Sequence, residues 1–230
     1  MHASTPMPKP KPVTLKKLAA ATGALVAAVA AVATAAPQAF AQTAPEMAAQ
    51  PAGGPVKGAS YVVDPTHTFV MYEMGHYGTT TNRGRFSTKD GTIKIDPNGR
   101  AGKIDITMDI SSVNTGVDLL NRHVLSRDFF NVAEFPVARF VADKIDFSGD
   151  KVTEVDGTLT LMGQTKPVKL KASRFGCYLS PLIKRQVCGG DFETIVERSN
   201  WGITWGIPFG FEDRVRLLVQ VEAVNITGGS

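Results

Sequence analysis

The chain has 230 residues, with 25 Lys and Arg against 21 Asp and Glu, a formal net charge of +4. That surplus sits in the first forty-one residues, where Lys9, Lys11, Lys16 and Lys17 meet no acidic partner; the remainder is neutral, with 21 basic and 21 acidic side chains. Interspersed charge without a basic patch gives no electrostatic reason to bind nucleic acid or to adsorb generally on an anionic membrane.

The four lysines precede an alanine-rich apolar run from Leu18 to Ala36, and Ala39-Phe40-Ala41 supplies the small-x-small pattern that a signal peptidase cuts after. Residues 1–41 therefore read as a cleaved signal peptide, with a retained membrane anchor as the alternative, and the protein is expected in the periplasm. Residues 42–58, rich in Ala, Pro, Gly and Gln, have no hydrophobic period and read as a flexible tether. Residues 59–227 remain, enough for one domain with a substantial core.

From Ser60 the chain alternates. Tyr61-Val62-Val63 opens the domain, Asp64-Pro65 makes a turn or bulge, and a strand from Thr68 to His76 puts Thr68, Val70, Tyr72, Met74 and His76 on one face. A strand over 91–96 ends in the turn Pro97-Asn98-Gly99, and in the next one Ile104, Ile106, Met108 and Ile110 oppose Lys103, Asp105, Thr107 and Asp109. Residues 117–135 break this rhythm. Val117, Leu120 and Val124, and again Leu125, Phe129 and Val132, fall at helical spacing, so two short amphipathic helices are expected, the second capped by Ser126 with Asp128 in its first turn. Pro136 stops the helix, and the segment reads as a flap that turns Phe129 and Phe130 toward a core.

Strands resume over 137–147 and 151–161, the latter aligning Val155, Gly157, Leu159 and Leu161. After a turn at Gly163-Gln164-Thr165-Lys166-Pro167, Val168, Leu170 and Ala172 alternate with lysines. Residues 192–198 form another strand. Trp201 and Trp205 mark a glycine-broken aromatic stretch, and the last strand aligns Val215, Leu217, Val219, Val221 and Ala223. Many short antiparallel strands with one helical interruption indicate an all-β sandwich or closed barrel. Cys177 and Cys188, with ten residues between them, are expected to form a structural disulfide stapling the base of a long loop, which contributes about 3 kcal/mol in the chain-entropy model; a redox or metal site is the alternative, although the spacing is not Cys-x-x-Cys.

No nucleophile motif, phosphate loop or paired carboxylate signals catalysis. His67 and His76 have opposite parity and His123 lies on the flap, so a three-histidine metal site is not expected. His76 reads either as a hydrogen-bonded core histidine or as a polar group lining a cavity. His123 either pins the flap or faces a ligand, and Arg198 either stacks on Trp201 or sits at a barrel mouth.

Four motifs carry a family resemblance: Asp64-Pro65-Thr66-His67-Thr68 with Val70, Tyr72 and His76; His123 through Asn131 with Phe135-Pro136; Gly157 through Val168; and Arg198-Ser199-Asn200-Trp201-Gly202-Ile203. In this order, across Ser60 to Ile226, they resemble the YceI family of periplasmic lipid-binding proteins, with departures at Val124, Leu125 and Asn131; the cysteine pair resembles that of a subset of the family. The resemblance implies a lipocalin-like, eight-stranded antiparallel barrel with a short helical flap, its cavity holding a long isoprenoid such as a polyprenyl phosphate or a quinone tail, with no catalytic residue, metal or cofactor. Val70, Tyr72, Met74, Ile106, Met108, Leu159 and Leu161, with Phe129 and Phe130 from the flap, are the expected tunnel wall. His76, His123 and Arg198 are the expected polar contacts to a head group, and Trp201 is a further expected ligand-binding residue. The implied function is a carrier or sequestering protein, monomeric or homodimeric, served by a lipid donor or membrane-protein partner. A filled-barrel interaction module and an enzyme acting on a lipid or quinone are the alternatives.

Overall fold

A computed structural model describes residues 56, 58–96 and 101–227. The signal-peptide and tether readings, apart from Val56 and Gly58, and the Pro97-Asn98-Gly99 turn lie outside the described residues.

Nine strands form one antiparallel sheet: β1 (Ser60–Val63), β2 (Phe69–His76), β3 (Thr80–Ile95), β4 (Gly102–Asn114), β5 (Val137–Ser148), β6 (Lys151–Leu161), β7 (Gln164–Leu179), β8 (Gln186–Glu197) and β9 (Phe211–Asn225). Each pairs with its sequence neighbour from β2 to β9, and β9 returns to β2, so the sheet closes. β1 and β2 both lie between β3 and β9, so together they occupy a single position and the barrel has eight. The break between them is the Asp64 turn: the Asp64 carboxylate accepts the Thr66 amide at 2.8 Å and its carbonyl accepts the His67 amide at 3.2 Å, leaving the chain free to rejoin the ladder at Phe69.

Closure removes the sheet edges and divides every strand into an inner and an outer row. The outer row carries cross-strand ion pairs such as Arg139–Asp105, Lys144–Asp156 and Arg216–Glu73, each exposed and individually weak. The inner row is apolar and forms two clusters. One, around Tyr61, Ile104, Ile145, Val155, Phe192 and Ala223, lines the half of the barrel where the chain enters; the other, around Phe86, Met108, Ile110 and Val124, underlies the flap.

The turns differ from expectation in instructive ways. The β6–β7 turn is only Met162-Gly163, both at positive φ as a two-residue hairpin of this twist requires, so Gln164 to Pro167 belong to β7 instead of to a loop. β3 begins at Thr80, eleven residues before the alternation becomes legible. Only the first of the two flap helices forms, α1 (Asp118–Leu125), with Val117 as its N-cap and 55% exposed instead of facing inward. Residues 126–135 are a series of turns. The Ser126 hydroxyl accepts the Asp128 amide at 3.3 Å as a cap would, but Asn131 takes a left-handed conformation and its amide returns to the Ser126 carbonyl at 2.8 Å, closing the turn before a helix can propagate. Cys177 and Cys188 are disulfide-bonded, and they face each other across the β7–β8 ladder, which continues beyond them to Leu179 and Gln186. The bridge therefore clips a hairpin near its tip and does not close the base of a long loop.

Candidate lipid cavity

The hairpins β2–β3 and β6–β7, the flap and the β8–β9 connection all lie at one pole of the barrel, and the inner row of side chains leaves empty space that runs from this pole toward the other. The space falls into two chambers. The deep one, about 210 Å³, is walled by inward Val, Ile, Leu and Phe side chains of β2 to β9, with Tyr61 from β1; the small residues Ala138, Gly189 and Ala223 help to leave room there. The upper one, about 280 Å³, lies under the flap. Phe86, Phe130, Leu159, Leu161 and Leu217 border both and form the waist where they meet. Together the chambers fall within the roughly 300–1,000 Å³ of small-molecule sites.

The polar hydrogens of the deep chamber are already engaged. The Thr68 hydroxyl donates to the Glu222 carbonyl at 3.1 Å, the Thr88 hydroxyl to the Met108 sulfur at 3.5 Å, and the Tyr61 hydroxyl to the Gln186 side-chain oxygen at 3.0 Å. A water placed there would find few of the two to four partners it needs, so the chamber suits hydrocarbon.

The upper chamber is different. His76, Asn82, His123, Arg198 and Trp205 line it beside Tyr72, whose burial raises its hydroxyl above the ordinary tyrosine range. The Tyr72 ring lies across Gly84 on β3, where a Cβ would come within 2.5 Å of it; any other residue there would displace the ring. An aromatic chain roofs the chamber. His76 packs edge-on against Phe211 with ring centres 4.7 Å apart, Phe211 meets Trp205 at 5.3 Å, and Trp205 meets His123 at 4.5 Å and Phe129 at 5.2 Å. His123 is also held by Asp128 within the flap at 3.2 Å, and its edge-on contact with Trp205 ties the flap to the β8–β9 connection while it faces the cavity. His67 is exposed at the Asp64 turn, away from both other histidines. Among the described residues no group of His, Cys, Asp or Glu is arranged to hold a metal ion.

Arg198 organises the connection. It opens the 3₁₀ turn Arg198–Trp201, ahead of a second at Ile207–Phe209, and it is only 5% exposed. Its Nε donates to the Glu212 carbonyl at 2.9 Å, and its Nη1 donates to the carbonyls of Ile203 at 3.0 Å and Trp205 at 2.9 Å, while Nη2 has no partner among the described residues. The ring it faces is Phe129, 5.9 Å away, and not Trp201, whose indole N–H donates to the Leu159 carbonyl at 3.2 Å. Burial lowers the guanidinium pKa from its ordinary value, an effect that the charge of Asp213 opposes.

The residues expected at the site all border the cavity: Val70, Ile106 and Met108 the deep chamber; Phe130, Leu159 and Leu161 the waist; Tyr72, Met74, His76, His123, Phe129, Arg198 and Trp201 the upper chamber. Sequence reasoning passed over Phe86, Asn82, Trp205, Phe211 and Leu217. Leu217 was legible in the alternation of β9, and Trp205 in the aromatic stretch; Phe86 and Asn82 lie in the half of β3 that reads as polar.

The sequence pattern of the YceI-like domain matches residues 61–223, all of this barrel but Ser60, Val224 and Asn225 at its ends. The chain belongs to the YceI-like family. Among its YceI-like relatives, the protein YceI of Salmonella arizonae is 32% identical over 175 residues, covering 75% of this chain and 90% of the relative. A UPF0312 protein of Pseudomonas savastanoi is 35% identical over 125 residues; the match covers 53% of this chain and spans 65% of the relative's length. The structure of a polyisoprenoid-binding domain from Saccharophagus degradans superposes with a TM-score of 0.52 at 16% identity, covering 73% of this chain and 99% of that one, a likeness of fold.

Proposed function

We propose that the protein is a periplasmic carrier or sequestering protein that binds one long isoprenoid lipid lengthwise in the barrel. The observation that carries this reading is the paired cavity, apolar at depth and polar only beneath the flap. Left empty, the deep chamber forgoes packing on the order of 5 kcal/mol at about 24 cal/mol per Å³, a cost that an apolar occupant removes. A slender chain such as a polyprenyl phosphate or a quinone tail fits a space that narrows at Leu159 and Phe130 and widens on either side. Its apolar end lies among Val70, Ile106 and Met108. Its head lies among His76, His123 and Arg198, where the unpartnered Nη2 is a donor awaiting an acceptor.

The polyisoprenoid named for the Saccharophagus domain is consistent with this cargo. Residues 1–41 act as the export signal and 42–58 as a tether, and the protein works as a monomer or homodimer with a lipid donor in the envelope. This is a binding role: the cavity offers orientation and burial, with no constellation of nucleophile and base. The test is titration with a long polyprenol, followed by thermal unfolding and by the fluorescence of Trp201 and Trp205, both on the upper chamber. Saturable fluorescence change with a concentration-dependent rise in Tm supports the reading; an unchanged Tm at saturating lipid overturns it.

A further inference from the structure

The hairpin joining β7 to β8 projects from the pole opposite the flap, and its tip has no role in the cavity. The Ser180 amide donates to the Arg185 carbonyl and the Lys184 amide to the Ser180 carbonyl, both at 2.9 Å, with Lys184 in the left-handed region at φ 54°. The Cys177–Cys188 bridge lies directly behind, and Arg185 Nη1 donates to the Asn225 carbonyl at 3.2 Å, tying the tip to the end of β9. The tip is thus a held shape.

That shape presents Leu182, 89% exposed, between Leu179 at 58% and Ile183 at 50%, with Pro181 exposed beside them. A hairpin tip specified only for folding carries polar residues, whereas a contiguous apolar patch marks a contact surface. Lys184 and Arg185 flank it, neither in an ion pair among the described residues, and no acidic residue occurs between Cys177 and Gly190. The exposed tip carries no aromatic ring, the residue type that dominates protein–protein hot spots. Aliphatic side chains at a convex tip, with the Lys184 cation on a stem long enough to reach outward, match the boundary between acyl chains and anionic head groups.

We infer that the 179–185 tip is a membrane-docking element that inserts Leu182 and Ile183 into an anionic bilayer while the exposed Lys184 contacts lipid phosphates and Arg185 holds the tip in place. The inference does not depend on lipid in the barrel, since the tip lies at the far pole from the flap and borders neither chamber.

The test is flotation of the host-purified, disulfide-bonded protein with phosphatidylcholine–phosphatidylglycerol vesicles and with phosphatidylcholine alone. The protein is expected to float with the anionic vesicles. Leu182→Ser/Ile183→Ser lowers partitioning at least about tenfold, and Lys184→Gln lowers it about fivefold, both without change in Tm. As a second readout, the emission of Leu182→Trp shifts to the blue with anionic vesicles and is quenched by brominated acyl chains. Wild-type protein that stays with the soluble fraction, a double variant that floats equally well, or a Leu182→Trp emission that remains that of water overturns the proposal. So does a tip variant that converts a dimer into a monomer without altering flotation, since the surface then belongs to a second copy of the chain.

Discussion

Leu159 sits at the waist, where it borders both chambers, and its side chain is only partly covered because it faces open space. Leu159→Trp places an indole across that opening and separates the deep chamber from the flap. Leu159 shares in folding chiefly through its backbone, pairing with Phe140 and Lys166 and accepting the Trp201 indole N–H, and all of these survive the substitution. The ring enters a void and displaces no packed neighbour, so stability falls by less than the 1–3 kcal/mol of ordinary overpacking, or rises. Binding responds strongly. At about 0.8 kcal/mol per buried methylene, one five-carbon isoprene unit kept out of the deep chamber forfeits about 4 kcal/mol of gross burial. If half of that is offset by retained chain freedom, about 2 kcal/mol remains, roughly a thirtyfold weaker Kd. Farnesol, short enough for the upper chamber, is affected much less. Titrations of wild type and variant with a long polyprenol and with farnesol give the comparison. Equal long-chain affinity in a folded Leu159→Trp protein would refute the lengthwise placement.

Further outcomes follow from the same geometry. Arg198→Met leaves the carbonyls of Glu212, Ile203 and Trp205 without their donor, at about 1–3 kcal/mol for each one that water does not reach, and Arg198→Lys does not restore three divergent bonds; urea unfolding measures the loss, and a change below about 1 kcal/mol would remove Arg198 as the anchor of this connection. Replacing both cysteines by alanine lowers stability by about 3 kcal/mol in the chain-entropy model, a fall in Tm of roughly 6–12 °C for a domain of this size; an unchanged Tm would contradict the assignment of a stabilising clip. At the Asp64 turn, burial alone would raise the carboxyl pKa, but hydrogen bonds from Thr66 and His67 outweigh it and the net shift is downward. The His67 pKa is raised by its hydrogen bond to Asp64 and by that carboxylate's charge. The His67 contribution is therefore complete below the ordinary imidazole pKa and lost as pH rises through its raised folded value, while the Asp64 contribution is present above the ordinary aspartate pKa and lost as pH falls through its lowered one. The pair is exposed, so the energy is small and the readout is NMR titration: the His67 pKa is expected to return to the ordinary value in Asp64→Asn, and an unshifted titration would contradict the pairing.

Most of the barrel was legible because a closed sheet writes a period of two into its sequence. Ile104 to Ile110, Val155 to Leu161 and Val215 to Ala223 all take the inward positions that their alternation indicates. The alternation faded where the wall is polar or empty: the inward residues at the start of β3 are Asn82, Gly84, Phe86 and Thr88, and two irregularities in its pairing with β4 shift the phase before Gly91. The flap misled for another reason. Leu125, Phe129 and Val132 share helical spacing, yet the left-handed Asn131 and tertiary contacts, with Phe130 packed 5.3 Å from Phe86, select a set of turns in place of a second helix. The cavity positions were readable as inward residues, whereas the role of Arg198 in gathering three carbonyls was not, because two of them, Ile203 and Trp205, come from a connection with no sequence period and the third, Glu212, from the start of β9.

The most direct measurement is native mass spectrometry of the protein purified from its own host, followed by organic extraction of whatever travels with it. One isoprenoid lipid per chain, released on unfolding, is the predicted result. Protein that is empty as isolated and also refuses added polyprenyl lipids would contradict the account and leave the barrel as an interaction module.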